Sequence, residues 1–328
     1  MKEKIDFVIP WVDGNDEKWL EEKRKYKADF VQDDRNIRYR DWDLLKYWFR
    51  GVSKFAPWVN RIHFLTWGHV PEWLNTNNDK INVVKHDDFI PKKYLPTFSS
   101  HPIELNMHRI KGLSDNFVYF NDDLFLINKV VPEDFFRENL PCDCLVESAI
   151  TPRLGEFSSI LCETTGVINR HFTKKDIQQL GIKKYFNPKY KELLIRTLTM
   201  MPYHHIMGFY NPHICSAFNK KTLLEVWEQE YDILDRTCMH KFRDQNDVSQ
   251  YLFRYWNLCK GSFYPAYPIG RLYNVAEHTE KICDVIRRQN IKIIAINDAD
   301  CVENVKQKQE KIQKSFEQIL NEKSEFEK

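Results

Sequence analysis

The chain of 328 residues predicts an α/β fold, a Rossmann-like, mainly parallel sheet flanked by helices, on three observations. Short continuous apolar runs recur at Ile5 to Val12, Arg61 to Trp67, Ile81 to Lys85 and Phe117 to Phe120, the pattern of strands covered on both faces. Segments of helical spacing separate most of them, so strand and helix alternate as in βαβ units. Acidic or amide residues close three runs: Asp13 after the first, Asn121-Asp122-Asp123 after Phe120, and Asn297-Asp298 after Ile291 to Ile296. Ligands of such sheets lie beyond the carboxyl ends of the strands, so these clusters converge on one rim if the strands are neighbours.

Taken in order, Asp41 to Phe55 carries Leu44, Leu45, Trp48, Phe49 and Val52 at helical spacing. A helix from Ile103 to Leu113 is preceded by Ser99 and Ser100 as caps, has Pro102 in its first turn and ends at Gly112. Glu104 and His108 would share a face of it, and its N-terminus would receive an anion as readily as a cap. From about 130 to 200 the chain is interrupted by Pro132, Pro141, Pro152 and Pro188, and reads as an insertion beside the sheet, either an acceptor-side binding segment or scaffold; Lys183 to Arg196 has the look of a surface helix or arm. Lys221 to Leu234 and Asp247 to Leu258 read as helices, the second closed by Gly261, and a charged helix from about Val302 is expected to run to residue 328 and fray. Residues 1–328 read as one catalytic domain.

Lys and Arg number 49 against 47 Asp and Glu, a formal charge of +2, so no overall field points to nucleic acid. The start of the chain lacks the apolar core of a secretory signal, and no run of about 18 uncharged apolar residues appears, so a cytoplasmic protein is expected. Eight scattered cysteines without paired spacing predict reduced thiols. Aromatic residues make up 14% of the chain, which permits stacking on sugar rings without requiring it.

Adjacent carboxylates at a strand end repel unless a proton or cation separates them. A partly hydrated Mg²⁺ shared with substrate phosphates is the usual solution. The plain alternative is a polar turn.

Several segments carry a resemblance. Ile5 to Asp16, Leu95-Pro96-Thr97-Phe98-Ser99-Ser100, Met107 to Ile110 and Asn121-Asp122-Asp123 resemble the first two conserved regions of the Stealth family. Arg40-Asp41, Leu45-Lys46-Tyr47 and Arg50 match the helix after the first block; Asn211-Pro212-His213 and His240 to Trp256 match the third region; Ile296-Asn297-Asp298 matches the fourth. Pro10 departs from the threonine often found there, and residues 130–200 match no block, which leaves the acceptor open. The resemblance implies a GT-A-like, nucleotide-sugar-binding fold. It also implies transfer of hexose-1-phosphate or N-acetylhexosamine-1-phosphate from a nucleotide sugar, foremost a UDP-sugar, to a hydroxyl of a glycan or lipid-linked oligosaccharide. The product would be a phosphodiester in capsular or exopolysaccharide synthesis, released with a nucleoside monophosphate.

Such a reaction needs charge neutralisation, in-line positioning and a proton acceptor. On the resemblance, Asp123 with Asp122 or Asp298 would hold the divalent ion, Mg²⁺ first with Mn²⁺ or Ca²⁺ as alternatives. Arg243 would stabilise the transferred phosphate, unless it only pairs with Asp244 or Asp247. His213 would be the general base, with Asp122 as its rival. Asp13, Arg40, Lys46, Arg50, Ser99, Ser100, His108, Arg109 and Asn121 would contact nucleotide, sugar or acceptor. The family resemblance further implies work at the inner face of the cell membrane, with peripheral association. Two other readings fit the residues: a metal-dependent GT-A glycosyltransferase releasing a nucleoside diphosphate, and a non-catalytic Ca²⁺-dependent glycan-binding protein.

Overall fold

A computed structural model describes residues 4–27, 41–153, 155–299 and 302–328. Arg40 lies outside them. Among the described residues the chain builds eleven strands: β1 (Ile5–Trp11), β2 (Ile62–Thr66), β3 (Ile81–Lys85), β4 (Asn116–Tyr119), β5 (Leu124–Leu126), β6 (Phe136–Arg137), β7 (Leu140–Asp143), β8 (Ser216–Asn219), β9 (Tyr264–Pro265), β10 (Gly270–Asn274) and β11 (Ile293–Asn297). The central sheet has the order β3-β2-β1-β4-β8, with β3, β2, β1 and β4 parallel and β8 antiparallel to β4. The chain steps from β1 outward to β2 and β3, and β4 returns to the other side of β1. The strand order therefore reverses between the carboxyl ends of β1 and β4, which is where an open α/β sheet leaves its crevice.

Alternation along β1 sends side chains to two cores. Phe7 and Ile9 face one, with Trp48, Phe49, Val118 and Phe120; Val8 faces the other, with Phe117, Phe218, Leu252 and Phe253. The first core is covered by helix Leu45–Phe55, held so close to β5 that a side chain at Gly51 would meet the Leu126 carbonyl oxygen at 2.9 Å. The second is covered by helix Tyr251–Lys260, buried along nearly its whole length and ended by Gly261 in the left-handed region at φ +69°. Asp6 is a carboxylate inside this apolar strand. Burial raises its pKa, but bonds from His63 (3.1 Å), Asn60 (2.6 Å) and the Ser114 amide (2.7 Å) outweigh burial and keep it low.

A second sheet has the order β10-β11-β5 and a third the order β6-β7-β9. β5 runs antiparallel to β11, and the Ile296 amide donates to the Asp123 carbonyl at 2.9 Å. The chain thus leaves β11 toward Asp298 beside the Asn121–Asp123 turn.

Three expectations are corrected. The helix expected over 103–113 runs Ser100–Leu105 and gives way to a 3₁₀ turn, Met107–Arg109, because the Asn106 side chain donates to the Pro102 carbonyl at 2.8 Å. Lys221 to Leu234 is two helices, Lys220–Gln229 and Tyr231–Met239, broken at Glu230. The C-terminal helix, Val305–Ile319, does not fray: Ile312, Phe316 and Ile319 are buried, and Phe316 stacks on Tyr47 at 5.2 Å.

Candidate active site

Asn121, Asp122 and Asp123 turn away from β4 while the Leu124 amide bonds the Asn121 carbonyl (3.2 Å). Asp13 leaves the adjacent β1, and its amide donates to His69 Nε2 at 2.8 Å. That bond requires the neutral Nδ1–H tautomer, and burial holds the His69 pKa below its usual value despite Asp16 and Asp13. Surrounding protein first, and then the adjacent Asp123 charge, push the Asp122 carboxyl up to about 7; Asp41 adds to the push and Arg243 opposes it. Asp122 is open to solvent, which screens part of this effect.

His213 Nε2 lies 3.0 Å from Asp123 Oδ2. Burial lowers the imidazole pKa, but the charge and hydrogen bond of Asp123, with Asp122 and Glu104 behind, outweigh it and raise the pKa overall. The other Asp123 oxygen, Oδ1, is buried without a hydrogen-bond partner among the described residues. His213 adopts φ +48°, a left-handed backbone that a non-glycine residue keeps only when its surroundings enforce it. They do so through Arg254, which forks onto Asp143 with bonds of 2.7 and 2.8 Å and also donates to Asn211 Oδ1 (2.6 Å) and the Tyr210 carbonyl (3.1 Å). Tyr255 holds the other side of Asn211 by a 2.5 Å bond.

Arg243 Nη2 donates to Ser100 Oγ at 3.0 Å. Its loop is fixed by Asp247, fully buried, which takes His101 Nδ1 at 3.0 Å, His240 Nδ1 at 2.6 Å and the Asp244 amide at 2.9 Å. Asp247 is therefore already engaged, and Arg243 points to Ser100. The Phe98 amide bonds the Lys241 carbonyl (2.8 Å) and Phe98 stacks on Phe242, which ties the 95–100 segment to the Arg243 loop.

Residues 3–31 match the model of Stealth protein CR1, conserved region 1, and residues 38–142 that of Stealth protein CR2, conserved region 2. The chain is 40% identical to the capsular polysaccharide phosphotransferase WcwK of Streptococcus pneumoniae over 99% of this chain and 98% of that one. It belongs to the Stealth family. Other relatives are the exopolysaccharide phosphotransferase cps2G of Lactiplantibacillus plantarum (38% identity, 99% and 96% covered) and the receptor polysaccharide phosphotransferase WefC of Streptococcus gordonii (38%, all of both chains). Among solved structures, the galactosyltransferase LgtC overlays with a TM-score of 0.40 and 11% identity over 94% of this chain and 95% of that one, too slight a likeness to argue from.

Within this Stealth protein, Asp13, Asn121, Asp122, Asp123, Asp298 and His213 gather at the strand ends, and Ser100 and Arg243 pair beside them. Others do not join. Arg50 forks onto Glu327 (2.9 and 2.8 Å) and donates to the Leu320 carbonyl (3.0 Å), tying its helix to the C-terminal segment. Lys46 sits over the Tyr47 ring beside it. His108 packs on Trp227, and burial first, then Arg109, push its pKa down to about 3; Arg109 bonds Asn106 and lies over the same indole. Ser99 is the helix cap, accepting from the His101 amide, and is buried.

His69 and Asp143 were missed by sequence reading, and Glu104 and Arg254, though they fall in the segments it singled out, were given no place in the site; Arg254 left a signal as a lone charge within the apolar run Leu252 to Trp256. Glu104 accepts from Tyr119 Oη and from the Gln250 amide, both at 3.3 Å, under the floor of the site.

Proposed function

We propose that this Stealth enzyme is a polysaccharide phosphotransferase that moves a hexose- or N-acetylhexosamine-1-phosphate from a nucleotide sugar, foremost a UDP-sugar, to a hydroxyl of a glycan or lipid-linked oligosaccharide. The full-length relatives named as capsular, exopolysaccharide and receptor polysaccharide phosphotransferases support the reaction class. The observation that carries the residue assignment is the His213–Asp123 pair at the point where strand order reverses.

With Asp123 accepting from Nε2–H, Nδ1 of His213 is the lone pair left to take the proton of the acceptor hydroxyl. The acceptor oxygen attacks the phosphorus next to the sugar, its proton passes to His213, and the bond from that phosphorus to the oxygen of the departing nucleoside monophosphate breaks. Arg243, oriented by Ser100, bears on the charge of the transferred phosphoryl group. Asp122, with its raised pKa, is the alternative proton acceptor. Asp13 and Asn121 border the space for the donor.

Among the described residues no three His, Cys, Asp or Glu enclose an ion site. The buried, unpaired Asp123 Oδ1 beside Asp122 fits an ion held by few carboxylates and completed by phosphate and water, the habit of Mg²⁺. Asp123, with Asp122 or Asp298, would hold it, and it would neutralise pyrophosphate charge. We assign the reaction to the cytoplasmic face of the cell membrane, where a nucleotide sugar and a lipid-linked acceptor can meet. Among the described residues no helix is long and apolar enough to cross a membrane.

A panel of UDP-, CDP- and GDP-sugars with glycan acceptor and Mg²⁺ tests this reading by nucleotide chromatography. A nucleoside monophosphate formed only when acceptor is present supports it; a diphosphate alone means glycosyl transfer, and glycan binding with no nucleotide product means a binding protein.

A further inference from the structure

Helix Leu194–Met200 is mounted with its apolar side outward. Ile195, Leu198 and Met201 recur every three residues on one face and are 63%, 52% and 44% exposed, and Tyr203 just beyond is 49% exposed. The opposite side is pinned to the interior: Thr197 is buried, and its hydroxyl accepts from the Glu147 amide at 3.2 Å. Glu147 is itself buried between Lys174 and Tyr185. An ordinary surface helix buries its apolar stripe, so this one is held in a costly orientation by a polar anchor.

The rim of the patch is basic. Lys189, Lys191 and Arg196 flank it and are splayed over the rings of Tyr264 (4.2 Å), Tyr267 (4.8 Å) and Tyr210 (5.2 Å). Glu192, the one acid within this stretch, is engaged by Tyr267 Oη. A second copy of the chain would bring the same cations face to face across a two-fold axis, which disfavours self-association through this surface. An anionic bilayer complements both features at once, apolar side chains entering the headgroup region and cations meeting lipid phosphate.

The patch also adjoins a groove. It measures about 510 Å³ and is lined by Leu193 at the foot of the helix, by Tyr210, Tyr267 and Arg271, and by Asn211 and Pro212, the two residues before His213 in the chain.

We propose that helix Leu194–Met200 and the turn through Tyr203 dock on an anionic lipid membrane, so that the groove beside the helix, lined up to Pro212, lies at the lipid surface. Its purpose, delivery of a lipid-linked acceptor, rests on the transferase reading; the docking itself does not.

The test is flotation of the full chain with vesicles of phosphatidylcholine alone and with half of that lipid replaced by phosphatidylglycerol. Wild type should float with the anionic vesicles and not with the neutral ones. Ile195→Ser/Leu198→Glu should reduce bound protein roughly tenfold or more, and Lys189→Glu/Lys191→Glu should reduce it and remove its salt dependence. Thermal melts of the variants should match wild type, and nucleoside monophosphate release with a water-soluble acceptor should persist. Wild type that stays with neither vesicle, folded variants that float as wild type does, or a wild-type dimer that Ile195→Ser/Leu198→Glu makes monomeric would each overturn the proposal. Flotation without any nucleotide product would sink the transferase reading and leave the docking intact.

Discussion

Asp123→Asn keeps the size of the side chain and one oxygen to accept from His213, but removes the charge 3.0 Å from the imidazole. Two unit charges about 4 Å apart interact by about 4 kcal/mol at an effective dielectric constant near 20. Both side chains keep some solvent contact, 29% for His213 and 22% for Asp123, so the loss should lie nearer the roughly 1.5–3 kcal/mol of a charge-assisted bond. That corresponds to about a 10- to 150-fold drop in kcat. The pH profile is the sharper readout. Burial pulls the His213 pKa down and Asp123 lifts it, so without the carboxylate the pKa must fall. A base works deprotonated, so the rising limb of kcat/KM against pH should move to lower pH as the plateau drops. The assay is monophosphate release across the pH range, with the His213 ring titrated by NMR. Excess Mg²⁺ separates the causes, since it restores activity lost through weakened ion binding and not activity lost through a weaker base. Asp123→Asn with unchanged kcat and an unmoved acid limb would remove His213 from the role of base.

Arg254→Lys cannot reproduce the fork onto Asp143 and the bonds to Asn211 and Tyr210, so urea denaturation should show a loss of about 3–5 kcal/mol, with kcat falling as the His213 loop loosens. Burial holds His86 near about 4 and His108 near about 3, so below the unfolded histidine value of about 6.5 the unfolded chain binds protons that the folded chain refuses. Each should therefore cost about 2 kcal/mol of stability between pH 7 and pH 5, and denaturation of His108→Gln at both pH values should show a smaller loss than wild type. Phe316→Ala should destabilise by about 3–5 kcal/mol in the same assay, because Phe316 is fully buried and stacks on Tyr47.

Strand ends were the most legible part of the chain. β3 has the expected limits, and Asp13, Asn121–Asp123 and Asp298 gather because β1 and β4 are neighbours and β11 pairs antiparallel with β5 just after Asp123. Apolar periodicity reports burial on two faces, and that suffices for such elements. It says nothing of partners far along the chain. That Arg50 pairs with Glu327 could not be read from the sequence, because Glu327 lies 277 residues away. The helical face shared by Glu104 and His108 does not form as expected, because the Asn106 side chain that ends the helix gives no sign of doing so in the sequence. The short β8, Ser216–Asn219, has too little pattern to be read, and the φ of His213 follows from an Arg254 clamp that only the folded chain assembles.

The most direct test follows the phosphorus atom next to the sugar. With a UDP-sugar labelled at its β-phosphorus, attack at that atom carries the label into the glycan as a phosphodiester and leaves unlabelled UMP. Label retained in UDP, with an unlabelled glycan product, would contradict phosphotransfer and assign the Asp122, Asp123 and His213 site to glycosyl transfer.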